Sequence, residues 1–301
     1  MKFHQLTALV AAADAGSIRA AARHLHLTQA ALTKALRQLE EDAGTALLTR
    51  GSKGIVLTEA GERLRVRAQA ITHQLEQARD ELDQHRGEDR GSVRVALTPY
   101  LMLTVLGEAF RWFRKQHPGV QLRVHEGLVA RTLTGLREGR IDLAVVADTG
   151  DVPDGEFRTT PLHREHQALV VRRGHPVLEQ LQARALHSLE WVLPGTETPG
   201  LDPGLARMFE RAGLQPPAQI TRCDALAAMG LVRQSDAVSV MPVPLLGLPE
   251  CRQLVAVPLR SLRPPPLNLV LITPAHVPLT PAQAHLARCL QDAIAAARQT
   301  R

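Results

Sequence analysis

Residues 16–41, GSIRAAARHLHLTQAALTKALRQLEE, decide how the chain begins to fold. Gly16 stops a preceding helix, and Ser17 caps a short one over 17–25 whose Ile18, Ala21, Ala22 and Leu25 make one apolar stripe. A tight turn at His26 and Leu27 leads to Thr28, which can cap a further helix over 29–41. Two short helices joined this closely, with small residues where they cross, describe a helix-turn-helix. Upstream, Phe3, Leu6, Leu9, Val10 and Ala13 recur at helical spacing, with His4 and Gln5 on the other side. Lys2 before an apolar stretch has the outline of a signal peptide, but such segments are apolar all round. We read an amphipathic first helix.

In helix 29–41, Leu32, Leu36 and Leu39 share the inward face. Gln29, Thr33 and Arg37 lie on the opposite face, flanked by Thr28, Ala30 and Lys34. Gln pairs bidentately with adenine, Thr takes a base edge or a thymine methyl, and Lys and Arg hold phosphate or guanine. A polar outer face alone is what any solvated helix shows; the next segment changes that reading. Leu47 to Arg50 and Ile55 to Thr58 form two short β runs around Gly51-Ser52-Lys53-Gly54. This is a wing that would set Arg50 and Lys53 on the DNA backbone or minor groove.

Thr58 then caps a long helix. Leu64, Ala68, Ile71, Leu75, Ala78 and Leu82 alternate at four and three residues, an a/d seam. Packing within its own domain would explain such a seam, but it runs past the winged unit, so we expect dimerisation.

Proline marks the change of texture. All 20 prolines lie at or beyond Pro99, so the first 98 residues read as nearly continuous helix. Beyond Gly91, β-rich runs at 93–97, 120–124 and 141–146 alternate with helical patterns, the signature of a parallel sheet with helices packed on it. Further runs follow at 168–171, 191–193, 219–221, 237–241, 254–257 and 267–272, then a last helix with Thr280 as cap and Pro281 in its first turn. That is enough for two α/β lobes.

Composition excludes more. At 301 residues, 45% hydrophobic and 22% charged, the chain is globular, and its longest apolar run near the C-terminus, 267–272, is too short to span a membrane. Cys223, Cys251 and Cys289 lie far apart, fitting a reducing cytoplasm rather than a disulfide framework or zinc knuckle. The net charge of +6 permits nucleic-acid binding, but residues 1–90 carry 13 basic and 12 acidic groups, so the DNA reading rests on local placement.

Ala12 to Leu25 (AADAGSIRAAARHL), Thr28-Gln29, Leu39-Glu40, Gly44, Leu47, Arg50 and Leu57-Thr58-Glu59-Ala60-Gly61 together resemble the LysR-type transcriptional regulators in pattern, order and spacing. The resemblance covers the whole chain. Ala30 stands where the family usually has proline, which bears on the start of the helix and the bases read. Thr33, Ile18 and Leu48 are milder departures that keep their roles. The implied fold class is α/β: a winged helix-turn-helix (1–61), a linker helix that dimerises (62–90) and a two-lobed effector domain (91–301) similar to periplasmic binding proteins. Lobe I would hold 92–161 and 268–301 and lobe II 162–267, the chain crossing near Pro161-Leu162 and Leu267-Asn268. The resemblance further implies a homodimer, commonly a dimer of dimers, on an interrupted palindrome of double-stranded DNA, switched by a small molecule. It leaves RNA polymerase open as a further partner, and it implies no cofactor, metal or membrane.

Ligands of open parallel sheets bind at the carboxyl ends of strands. The first such end is Thr98-Pro99-Tyr100, where a hydroxyl and unpaired N–H groups offer an anion site; simple capping by Thr98 explains that residue equally well. The family usually has Ser or Thr at this point. Tyr100 would stack on an effector or line the wall, Glu126 and Gly127 would complete the rim, and Thr196, Glu197, Thr198 and Cys223 would face them. We expect a small organic anion. An α/β enzyme or a solute-binding protein is the rival, but the sequence holds no GxSxG, Walker A, GxGxxG after a strand, or HExxH, and His163 with His166 makes a weak metal pair.

Overall fold

The computed structural model describes residues 1–51, 54–148, 150, 152–195 and 201–299, with the side chains of Arg50 and Gln299 outside that description. It opens with three helices, α1 (Phe3–Ala15), α2 (Ile18–His24) and α3 (Gln29–Ala43). Each boundary has a local cause. Gly16 ends α1 in the left-handed region, Ser17 accepts the Ala20 N–H at 3.4 Å, and Thr28 accepts that of Ala31 at 3.1 Å. His26, the one described non-glycine residue with positive φ (54°), makes the turn, which the Leu27 N–H closes on the Ala22 carbonyl at 2.9 Å. Leu9, Ala12, Leu32 and Leu39 are fully buried where the helices meet.

A hairpin follows, β1 (Leu48–Gly51) against β2 (Gly54–Leu57). It is fastened at both ends. Glu40 accepts the Leu47 and Leu48 N–H groups at 2.9 and 3.1 Å, and Ile55 donates to the Gly16 carbonyl at 3.2 Å. Gly54, at φ +131°, comes so close to that carbonyl that a Cβ would collide with its oxygen. Helix α4 (Glu59–His85) then leaves the unit, capped by Thr58 on the Gly61 N–H at 3.0 Å.

The first lobe carries β3 (Ser92–Leu97), α5 (Pro99–Thr104), α6 (Leu106–Gln116), β4 (Gln121–Glu126), α7 (Val129–Arg137), β5 (Leu143–Ala147) and β6 (Phe157–Glu165). The second carries β7 (Gln167–Arg172), α8 (Ala183–His187), β8 (Trp191–Pro194), α9 (Pro203–Arg211), β9 (Ile220–Cys223), α10 (Ala225–Gln234), β10 (Ser239–Pro242) and β11 (Leu254–Ala256). The chain returns through β12 (Leu267–Pro274) and α11 (Pro281–Gln299).

The sheets are mixed rather than parallel. In the order β4-β3-β5-β12-β6, the first three strands are parallel and β12 runs antiparallel to both neighbours. The second lobe pairs β10-β7-β11 antiparallel and β8-β9 parallel, bridged at Trp191 and Val238. The crossing between lobes also falls later than expected. The β6–β12 ladder continues past Pro161 to Glu165 opposite Leu267, so the chain changes lobe at His166. Proline has no N–H to give, and the register shifts beside it, leaving Leu162 as a bulge that lets the ladder continue. One apolar core joins Leu97, Phe113 and Leu143 of the first lobe to Val170, Val192 and Met241 of the second; another surrounds Trp191 and Phe209, whose rings meet edge to face at 5.1 Å.

Candidate nucleic-acid interface and effector site

Helix α3 turns Leu32, Leu36 and Leu39 inward and leaves Thr28, Gln29, Ala30, Lys34 and Arg37 exposed, with Thr33 half-buried. Gln29, Ala30, Thr33, Lys34, Arg37, Gln38 and Glu41 line an open hollow of about 610 Å³ along this face. Two hydroxyls are already committed. Thr28 accepts the Ala31 N–H, and Thr33 donates to the Gln29 carbonyl at 2.8 Å, so Thr33 keeps a lone pair and its methyl for a base. Glu40 ties α3 to the hairpin, and Glu41 borders the hollow, bonded to Gln38 at 2.9 Å. The hairpin is present with Arg50 opposite Ile55; Ser52 and Lys53 lie outside the described residues.

The expected seam divides. Ala68 is fully buried and Leu64 half-buried in the N-terminal core. Beyond them Ile71, Ala78 and Leu82 are exposed and Leu75 is half-buried.

At the carboxyl end of β3, Thr98 is buried and caps α5 weakly, at 3.5 Å from the Leu101 N–H, with Pro99 in the first turn. Helix α5 is only six residues long, so its dipole is a weaker aid to an anion than expected. Tyr100 is 6% exposed and packed in the core between lobes, and its hydroxyl donates to the buried Glu165 carboxylate at 2.6 Å. His163 Nε2 lies 3.4 Å from the same oxygen, and the His166 N–H donates to the other at 3.0 Å. Tyr100 is thus held in the interlobe core, and the two histidines flank this carboxylate. Among the described residues no three His, Cys, Asp or Glu side chains are grouped to hold a metal, and no helix is long and apolar enough to cross a membrane.

Glu126 is exposed at the end of β4. Gly127 is buried, its N–H spent on the Leu97 carbonyl at 2.7 Å, and a Cβ there would meet Val146 at 2.7 Å. Close packing accounts for this glycine. Thr196, Glu197 and Thr198, expected to face this rim, fall outside the described residues. Cys223 is half-buried against the shared core, and burial first, then Asp224, pushes its thiol pKa up, which makes it an inert wall. Arg222, one residue before it on β9, was missed by the sequence reading. Its guanidinium donates to the Pro194 carbonyl at 3.2 Å, and burial lowers its pKa against the opposing pull of Asp202. A charged residue closing a short strand at a carboxyl sheet edge was the available signal.

A winged helix-turn-helix on a long helix, joined to two α/β lobes, defines a DNA-binding protein carrying a ligand domain. Family models agree: residues 3–62 match the bacterial regulatory helix-turn-helix of the lysR family, and residues 86–295 match the LysR substrate binding domain. The chain belongs to the LysR family of transcriptional regulators. It is 28% identical over 298 residues to the HTH-type transcriptional regulator TfdS of Cupriavidus pinatubonensis, covering 96% of this chain and 98% of that protein. TdcA of Escherichia coli is 24% identical over 249 residues, 83% of this chain and 80% of its own. Among solved structures, full-length CbnR complexed with its target DNA superposes with a TM-score of 0.68 at 23% identity, over 97% of this chain and 100% of that one. ArgP from Mycobacterium tuberculosis gives 0.69 at 22% identity, over 96% of each chain. This protein is an effector-responsive LysR-type transcriptional regulator.

Proposed function

We propose that α3 enters the major groove, with Gln29, Ala30, Thr33, Lys34 and Arg37 against the bases and Thr28, Arg50 and Lys53 against the backbone. The observation that carries this reading is the division of α3: its leucines are spent on the core, while the side chains able to read DNA line one open hollow. The exposed run Ile71, Ala78, Leu82 with Leu75 favours a homodimer through α4, and dimers of dimers on an interrupted palindrome follow from family membership. On this reading the protein works in the cytoplasm, without catalysis or cofactor, and meets RNA polymerase at its promoters.

The effector is a small organic anion held between the lobes. Thr98 at the carboxyl end of β3 and the Arg222 guanidinium at that of β9 are the donors that support this class. Mobility shift on the promoter region of the protein's own gene tests the DNA half. Arg50→Ala should weaken binding and flatten its dependence on salt, because a phosphate contact releases counterions. For the cleft, Thr98→Val keeps shape and loses the hydroxyl. Response to a screened set of carboxylates should fall in that variant while effector-free DNA binding persists; an unaltered response removes Thr98 from the site.

A further inference from the structure

Helix α4 carries a second stripe, which the seam does not use. His73, Gln77, Asp80 and Gln84 recur at four, three and four residues, and each is hydrogen-bonded to the first lobe or the segment leading into it. Asp142, whose side chain is 1% exposed just before β5, lies 2.7 Å from His73 Nε2 and accepts from Gln77 at 3.1 Å and from the Arg94 N–H at 2.6 Å. The Arg94 guanidinium lies 2.8 Å from His73 Nδ1 and donates to the Gly139 carbonyl at 3.0 Å. Arginine has no acceptor, so Nδ1 must accept and Nε2 carries the proton to Asp142. Further along, Asp80 accepts the Ser92 N–H at 3.0 Å and Gln84 that of Ala282, also at 3.0 Å. Gly139, at φ +70°, lies under His73, where a Cβ would come within 2.5 Å of the ring.

The two attachments of α4 differ in kind. Ala60, Leu64 and Ala68 belong to the N-terminal apolar core, and among the described residues no apolar side chain of α4 belongs to a core of the effector domain. Parting an apolar joint exposes surface that water cannot satisfy, whereas parting hydrogen bonds exposes groups that water rebinds. We propose that the stripe His73, Gln77, Asp80, Gln84 is a releasable catch. The winged domain and α4 move as one body, held at one angle by Asp142 and Arg94 of the first lobe. The catch grips the amino-terminal ends of β3 and β5, and the carboxyl end of β3 leads directly to Thr98. This deepens the effector-switch reading and rests on it for its biological meaning, but not for its test.

The test measures an angle. Spin labels are placed in the full chain by encoded amino acids at Arg23 on α2 and Arg111 on α6, both exposed, and labelled subunits are diluted with unlabelled ones. The start of α4 lies roughly 20 Å from His73 at 1.5 Å per residue, so a modest rotation shifts the winged domain by several ångströms. The wild type should give one narrow distance. His73→Ala with Gln77→Ala should broaden or shift it by several ångströms, and Gln84→Ala, at the far end of the stripe, by less. Ile71→Ser, on the other stripe, should leave it narrow. A pair variant as narrow as the wild type, a wild type as broad as the pair, or equal broadening by Ile71→Ser would each overturn the catch. Circular dichroism keeps the pair variant interpretable: unfolding of the first lobe would lower its melting midpoint, whereas an undocked catch leaves it near the wild type. Should the protein fail to shift any DNA, the functional reading falls while the distances still decide the catch.

Discussion

The two ends of α4 face the same mechanical problem and solve it with opposite chemistry. At the amino end, Ala68 is fully buried and Leu64 half-buried among the leucines of the winged domain. At the carboxyl end, the helix meets the first lobe through His73, Gln77, Asp80 and Gln84, with Asp142 and Arg94 answering. An apolar joint is strong, unspecific in direction and costly to open. A hydrogen-bonded one fixes an angle and reopens in water. A regulator that must report events in one domain to DNA held by another needs one joint of each kind.

The largest expected effect lies at the apolar joint. Ala68→Asp would bury an unpaired charge in the N-terminal core, costing about 3–5 kcal/mol, and should unfold that unit and abolish DNA binding while the effector domain still melts cooperatively. If both units melt as before, the joint is not apolar in the way described.

Next comes the stripe that belongs to neither joint. Leu75→Asp would place a charge in the proposed dimer seam, so sedimentation should show smaller assemblies and operator affinity should drop. An unchanged oligomer would assign the exposed run Ile71, Ala78 and Leu82 to some other contact.

At the polar joint the effects shrink. Gly139→Ala meets both a left-handed φ of +70° and the His73 ring, and should cost about 1–3 kcal/mol in effector-domain stability, read by denaturant midpoint. Smallest is Asp80→Asn. Burial, chiefly, and then Glu76, Asp83 and Asp142 raise the Asp80 pKa against the pull of the Ser92 N–H. The asparagine keeps an oxygen for Ser92 and sheds the charge, so Tm should rise slightly. Because the native state takes this proton more readily than the unfolded one, the penalty in the wild type is full above the raised folded pKa. It fades as pH falls through that value towards the ordinary 3.8. The gain from Asp80→Asn should therefore shrink with acid, and a gain constant with pH would contradict the assignment.

This contrast follows what a sequence can express. The N-terminal unit was legible because its signals are local: Ser17, Thr28 and Thr58 cap helices three residues away, and the leucines of α3 repeat on one face. The polar joint was not legible, since His73 and Gln77 find Asp142 across more than sixty residues and nothing in their own neighbourhood names that partner. Strand β6 escaped for another reason: Pro161 and its polar surroundings argue against a strand, and only pairing with β12 on its far side makes one. Tyr100 was read as cleft-facing because the buried acid it serves, Glu165, lies at a crossing placed four residues too early.

Sequence-specific regulation by this protein rests on α3 as the DNA reader. The direct measurement is selection of duplexes from a randomised library by the full chain, with Gln29→Ala selected in parallel. The wild type should enrich an interrupted palindrome. Gln29→Ala should enrich the same spacing with one base pair per half-site relaxed, a loss of about 1–3 kcal/mol of discrimination there. Identical preferences for both proteins, or no enriched palindrome at all, would contradict the assignment of α3.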